Sequence, residues 1–247
     1  MKRKSPSPAR FVTWDSITER DWTPHLRRNR LARGLKLRRV RPGTPEYEQV
    51  LALRHSGFVE SGFIASDENS VESMRLPRDS DSIILALFSN KTVRATVTLN
   101  TITPRFPGMA MELEKGVVIN HPSFHSREVL EITKLVVDPG TRGTRAALAL
   151  FSVAMLVARL LGKSHLWQVS RDVPQDISWR AALGFDYSLN CHFVDRSLNN
   201  MPSCVGYLYL PDAAASGRIP SFIRSIYREV LSLEPIDQAS NSMERPA

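Results

Sequence analysis

Chemistry is most concentrated in the stretch from Val129 to Leu161. Val129 to Val137 is rich in β-branched residues and reads as a strand. Asp138-Pro139-Gly140 stops it, because proline cannot extend the ladder and glycine permits the turn. Thr141-Arg142-Gly143-Thr144-Arg145 then leads into an apolar run, Ala146 to Leu161, long enough to be a helix. A strand that feeds a tight basic loop opening a helix aims several backbone N–H groups and the positive helix end at one spot, so an anion site is expected there. Other reactive groupings do less. His121 and His125 have i,i+4 spacing, but Pro122 and Ser123 lie between them and no carboxylate motif is attached, so no metal site is expected. Cys191 and His192 are neighbours on a strand and face opposite ways. The chain carries no Walker loop or dinucleotide fingerprint.

The elements that must position this stretch follow from local pattern. Leu35 to Val40 alternates like a strand. Thr44-Pro45 starts a helix, with Thr as cap, Pro at the first position and Glu46 and Glu48 in the first turn; it is expected to run to about Arg54 and stop near Gly57. Residues 57–80 read as an amphipathic loop-helix segment of the kind that covers a ligand. Ser82 to Phe88 and Thr92 to Ile102 form a hairpin across Ser89-Asn90-Lys91. Met109 to Lys115 is short and undecided, and Val117 to Ile119 suggests a short strand. Beyond Gly162, strands are expected at His165–Ser170, Phe185–Val194 and Cys204–Leu210. Helices are expected at Pro174–Leu183 and Ile219–Leu233.

The charge is lopsided. Of 33 lysines and arginines, 13 fall in residues 1–41, beside 3 of the 25 acids; that is +10, leaving −2 for the rest of a chain of net +8. Residues 1–34 are therefore expected to be a basic, partly disordered arm, with a short helix near Ile17–Leu31 at most. Residues 35–233 form one domain, and 234–247 a flexible tail. The arm calls for an acidic partner: protein, anionic lipid or nucleic acid. Two cysteines make no disulfide framework and no apolar run is long enough to span a bilayer, so a cytoplasmic, bacterial-type setting is expected, with peripheral membrane contact the most that a lipid surface would see.

The order strand, P-x-x-R-G loop, long apolar helix, strand, helix ending in Ala182-Leu183-Gly184-Phe185 resembles the GNAT acyltransferases. Their loop usually reads Q/R-x-x-G-x-G/A. Arg142 and Ala147 fit, and Arg145 stands where the middle glycine belongs. Glu131-Ile132-Thr133-Lys134-Leu135 resembles the E-x-[ST]-R-[FL] strand of autoinducer (acyl-homoserine-lactone) synthases and of bacterial N-acyl amino acid synthases, with Lys134 in place of Arg. Arg54, Phe58 and Asp79-x-Asp81 fall in the order of the early Arg…Phe…Asp pattern of those families. Val93 to Leu99 resembles their v-x-G-T-x-R-L strand, with Ala95 and Thr98 at the Gly and Arg positions. The resemblance spans about residues 35–210 and fits the N-acyl amino acid synthases better than the lactone branch.

It implies an α/β (α+β) GNAT-like fold, a central mixed, mostly antiparallel sheet flanked by helices. It also implies an N-acyltransferase that takes an acyl chain from phosphopantetheine, on acyl carrier protein or coenzyme A, to the amino group of an amino acid or similar small amine. No tightly bound cofactor is implied. A side chain at Arg145 crowds a pyrophosphate's approach to the backbone, which turns the expected donor from free acetyl-CoA towards a protein-tethered acyl chain. Arg142, Gly143, Thr144 and Arg145 would cradle the phosphate, with Val137 beside them. A backbone N–H of Val136 or Val137 would hold the oxyanion. Glu131 would be the base or orient the amine. Asp79 or Asp81 would hold the acceptor's ammonium, with Arg54 and Thr133 near the substrate. Phe58, Phe63, Phe88, Phe151 and Met155 would line the acyl tail. An acidic carrier protein would dock on Arg142, Arg145, Lys163 and the arm. An ordinary acetyl-CoA-dependent GNAT and a non-catalytic GNAT-like protein binding nucleic acid or anionic lipid are the competing readings, with nucleic acid disfavoured.

Overall fold

The structure is a computed structural model and describes residues 17–65, 70–124, 128–142 and 145–236. Its frame is a seven-stranded sheet in the order β1-β2-β3-β4-β5-β7-β6. The strands are β1 (Lys36–Val40), β2 (Ile83–Ser89), β3 (Thr92–Asn100), β4 (Val129–Val137), β5 (His165–Arg171), β6 (His192–Asp195) and β7 (Met201–Tyr209). Only β4 and β5 run parallel, because only they are joined by a long crossover helix. The helices are α1 (Glu19–Arg28), α2 (Pro45–Glu60), α3 (Ala110–Lys115), α4 (Ala146–Leu160), α5 (Pro174–Ala182), α6 (Leu210–Ala215) and α7 (Ser221–Leu231). This is the mixed, mostly antiparallel sheet flanked by helices that the resemblance implies.

Strand alternation sends side chains to two layers. Leu85, Leu87, Val97, Leu99, Leu130 and Ile132 pack with α4, α1 and α7 in the main core. Ile84, Ala86, Phe88 and Val136 point the other way, under α2. On that second face a separate cluster of Met109, Met111, Phe124, Val129 and Trp167 lies under the 102–124 segment. The second face is thus covered by two patches, α2 and the 102–124 segment.

Several expectations change. The short helix expected near Ile17–Leu31 is present as α1, and it is not frayed: Ile17, Trp22, Leu26 and Leu31 are buried in the main core, while residues 1–16 lie outside the described residues. α2 opens as expected, with the Tyr47 N–H donating to Thr44 Oγ1 at 3.3 Å, but runs on through Gly57 to Glu60. Gly57 serves close packing instead of termination: a Cβ there would lie 2.5 Å from Val136 Cγ1. Residues 117–119 form no strand; Val117 and Ile119 are buried from an irregular segment. The strand expected over 185–194 shrinks to β6 and a single bridge, Asp186 to Tyr207. Past α2, the expected covering segment is two 3₁₀ turns, Val71–Met74 and Pro77–Asp81.

Candidate active site at the parting of two strands

β4 and β5 pair from Val129↔His165 to Ile132↔Gln168 and then separate. β5 continues against β7 as far as Arg171↔Ser203, while β4 continues against β3 as far as Val137. Peptide groups on the inner edges of the two diverging segments are left without a ladder partner, which is where a substrate amide or thioester carbonyl can pair.

At the same level β4 carries a bulge. Thr98 pairs with Thr133 and Thr96 with Val136, so Lys134 and Leu135 together oppose the single residue Val97. Lys134 takes a left-handed backbone, φ 50°, which costs a non-glycine residue on the order of 1–2 kcal/mol.

A cavity of about 240 Å³ fills the gap. Its floor is Glu131, Thr133, Lys134 and Leu135 of β4 with Val169, Ser170 and Arg171 of β5. Phe58 and Phe63, in edge-to-face contact at 5.3 Å between ring centres, wall one side with Met74 and Leu76. Ala110, Met111 and Glu114 of α3 wall the other. The cavity therefore lies where the two covering patches of the second face fail to meet.

Glu131 is 1% exposed, and both its oxygens are held by the start of α3: Ala110 N–H donates to Oε2 at 2.6 Å and Met111 N–H to Oε1 at 2.9 Å. Burial pushes its carboxyl up to about 7, against the two N–H bonds and the nearby Arg78, which pull it down. Such a carboxyl exchanges a proton readily near neutrality. Lys134 Nζ is buried with no hydrogen-bond partner, and burial, with Arg54 nearby, brings its ammonium down to about 8. Across the cavity Glu114 is raised by desolvation, with Lys134 the largest opposing influence.

The other expected site residues divide. Thr133 lines the cavity and accepts from Asn100 Nδ2 at 3.2 Å. Phe58 and Phe63 line it too. Arg54 and Asp79 do not face it as free groups: they bury each other, Nη1 to Oδ2 at 3.1 Å. Arg54 Nη2 also donates to Thr98 Oγ1 at 2.6 Å, and Tyr47 OH to Asp79 Oδ2 at 2.6 Å. Asp79 is therefore occupied in pinning the 70–81 segment to α2 and β3, and is not available to an ammonium. Asp81 lies outside the cavity, ion-paired with Arg105 at 3.0 Å. Phe88 packs under α2, with Arg38 over its ring, and Phe151 and Met155 are core residues on the opposite face of the sheet. None of the three lines the cavity. The Asp138 N–H donates to the Arg94 carbonyl, and in an antiparallel ladder the N–H groups alternate, so Val136 N–H also turns towards β3 and Val137 N–H towards the gap. That removes Val136 as an oxyanion donor.

The loop before α4 is only partly described; Gly143 and Thr144 lie outside the described residues. Arg142 does not stand free: both its terminal nitrogens donate to Glu60 at the end of α2, at 2.7 and 2.6 Å. Arg145, at the cap of α4, lines a basin of about 900 Å³ with Arg30, Arg33 and Arg94. This basin is larger than the cavity, and among the described residues none of its lining side chains is an acid or a histidine. Sequence reasoning missed Glu114, Arg171 and Arg180 as cavity residues, and took Lys134 as a substitution in the strand motif or a partner for Glu131. A lone lysine inside a β-branched strand was the available signal.

Residues 49–172, just over half of the chain, match the family model of the N-acyl amino acid synthase FeeM. No curated protein sequence matches. Among solved structures, FeeM, an N-acyl amino acid synthase from uncultured soil microbes, is similar at 16% identity and a TM-score of 0.54, over 73% of this chain and 93% of that one. The AHL synthase LasI is similar at 10% identity and 0.51, over 71% and 88%. An N-acetyltransferase from Staphylococcus aureus Mu50 is similar at 12% identity and 0.50, over 71% and 98%. At these identities the structures establish the fold. Together with the family match over a segment that holds α2, the bulged strand, the basic loop and β5, they make the chain a member of the N-acyl amino acid synthase family, a GNAT-fold N-acyltransferase.

Proposed function

We propose that the donor is a long acyl chain carried as a thioester on the phosphopantetheine of an acidic acyl carrier protein, and that the acceptor is an amino acid. The observation that carries this reading is the parting of β4 and β5 with Glu131 at its floor. A thioester carbonyl lying in the gap meets the Val137 N–H. The acceptor's nitrogen attacks the carbonyl carbon, the C–N bond forms and the C–S bond breaks. Glu131 accepts the amine proton, which passes to the departing thiolate. Phe58, Phe63, Met74 and Leu76 offer the acyl chain an apolar wall. The arginine basin beside the α4 cap offers a carrier protein its charge complement. Arg145, in the place of a glycine, favours a phosphate held outside the loop over one pressed against its backbone.

The test is turnover by the purified protein, with acyl carrier protein thioesters and coenzyme A thioesters from two to sixteen carbons offered in parallel with a mixture of the twenty amino acids, products read by mass spectrometry. Long-chain N-acyl amino acids formed from the carrier-protein thioesters are expected. Turnover confined to acetyl-CoA would overturn the donor assignment, and no acylated product from any pair would overturn the whole reading.

A further inference from the structure

We propose that Lys134 is the specificity residue for a carboxylate: its ammonium, held in the cavity by the β4 bulge, pairs with the α-carboxylate of the acceptor and of the acylated product. This rests on the transferase reading for the word acceptor, but the geometry stands by itself. An ammonium buried from solvent requires an anion, because its desolvation is otherwise uncompensated. Among the described residues Lys134 Nζ has no hydrogen-bond partner. The surrounding acids do not supply one. Asp79 is taken by Arg54, Tyr47 and the Leu76 N–H. Glu131 is held by the two N–H groups of α3 and, among the described residues, makes no ion pair with Lys134. Glu114 faces the same cavity, yet among the described residues it makes no ion pair with Lys134 or with any other group. The backbone is also bent to the purpose. Without the extra residue, alternation would send position 134 to the face of Ile132, towards α4. The bulge and the positive φ instead bring Lys134 among the cavity residues, beside Glu131 and Thr133. A carboxylate placed on Nζ leaves the rest of an amino acid between Glu131 and Glu114, with its nitrogen beside the proton acceptor.

Binding can be read without turnover. Isothermal titration with a matched pair, N-dodecanoyl-phenylalanine and N-dodecanoyl-phenethylamine, isolates the carboxylate. The protein is expected to bind the acid roughly ten- to a hundredfold more tightly, the range of a charge-assisted hydrogen bond in a desolvated site. Lys134→Met and, as a second neutral variant, Lys134→Gln should abolish the difference, and Lys134→Arg should keep it. Both neutral variants should melt no lower than the parent, because they remove an unpaired buried charge. Equal binding of the pair by the parent, binding of neither, or a preference that survives in both neutral variants overturns the inference. The turnover assay separates the two readings: discrimination without turnover sinks the transferase reading alone, and turnover of amino acids with equal binding of the matched pair sinks this one alone.

Discussion

On one face of the sheet, the buried His25 finds a partner for each of its ring nitrogens within the chain. His25 of α1 meets Ser152 of α4 through Nε2 and Glu229 of α7 through Nδ1. Arg28 and Asn29 reach the same carboxylate at 3.0 and 2.9 Å. Around this clasp α4 contributes an almost unbroken apolar surface from Ala146 to Ala158. On the other face, Arg54, Asp79, Tyr47 and Thr98 form a comparable knot, but beside it Lys134 Nζ and Arg78 Nη1 are buried with no hydrogen-bond partner among the described residues. Polar groups that find their partners within the chain hold architecture together. A buried ammonium left over at the edge of a cavity, as Lys134 is, is where a partner from outside can be received.

The contrast can be tested by substitution on each side. The largest effect should come from Glu131→Gln. The fold should persist, weakened where the amide NH₂ opposes one of the α3 N–H donors, while kcat/KM falls about 10²- to 10⁴-fold, the usual worth of a positioned proton acceptor. In the parent, kcat/KM should rise with pH through about 7, since the carboxylate is the active form; a flat profile would return Glu131 to capping alone. The sign for stability is opposite. A carboxyl raised in the folded state contributes most below its unfolded value, and that contribution is lost as pH rises through about 7.

On the closed face, Trp22→Ala should lower stability by about 3–5 kcal/mol, measured by urea denaturation, and leave kcat/KM of the folded fraction unchanged. A change in activity of the same size would mean that the two faces are not separable. The smallest effect should follow Arg142→Ala. The Arg142–Glu60 pair is nearly half exposed on both sides, so its loss should cost at most about 1 kcal/mol in thermal unfolding. A larger loss would make the α2–loop contact part of the core architecture.

What the sequence made legible follows from how local each feature is. The strand, Pro-Gly stop and apolar helix at 129–160 were readable because each depends on its own residues. Thr44 and Pro45 announced α2 for the same reason. The side of the sheet on which α4 lies is not local: it depends on the crossover from β4 to β5, and so Phe151 and Met155, expected in a tunnel, belong to the core. Arg54 and Asp79 each stood out as members of the early Arg…Phe…Asp pattern, but that they satisfy one another needed the 70–81 segment folded back on α2. The bulge at Lys134 was out of reach, since register exists only with a partner strand. In residues 17–31 the arginines masked an apolar stripe whose Trp22 and Leu26 share one helix face.

The clasp at Glu229 also bears on the order in which the chain assembles. It joins residues 204 positions apart, so its loop can close only after the sheet has brought the two ends together, and the entropy of closing it is recovered only at that point. Late docking and early release of the α1–α7 contact are therefore expected. Limited proteolysis under native conditions should cut near residues 29–35 before any strand is lost, and the rate of that cut should report the opening of the N-terminal strap independently of global unfolding.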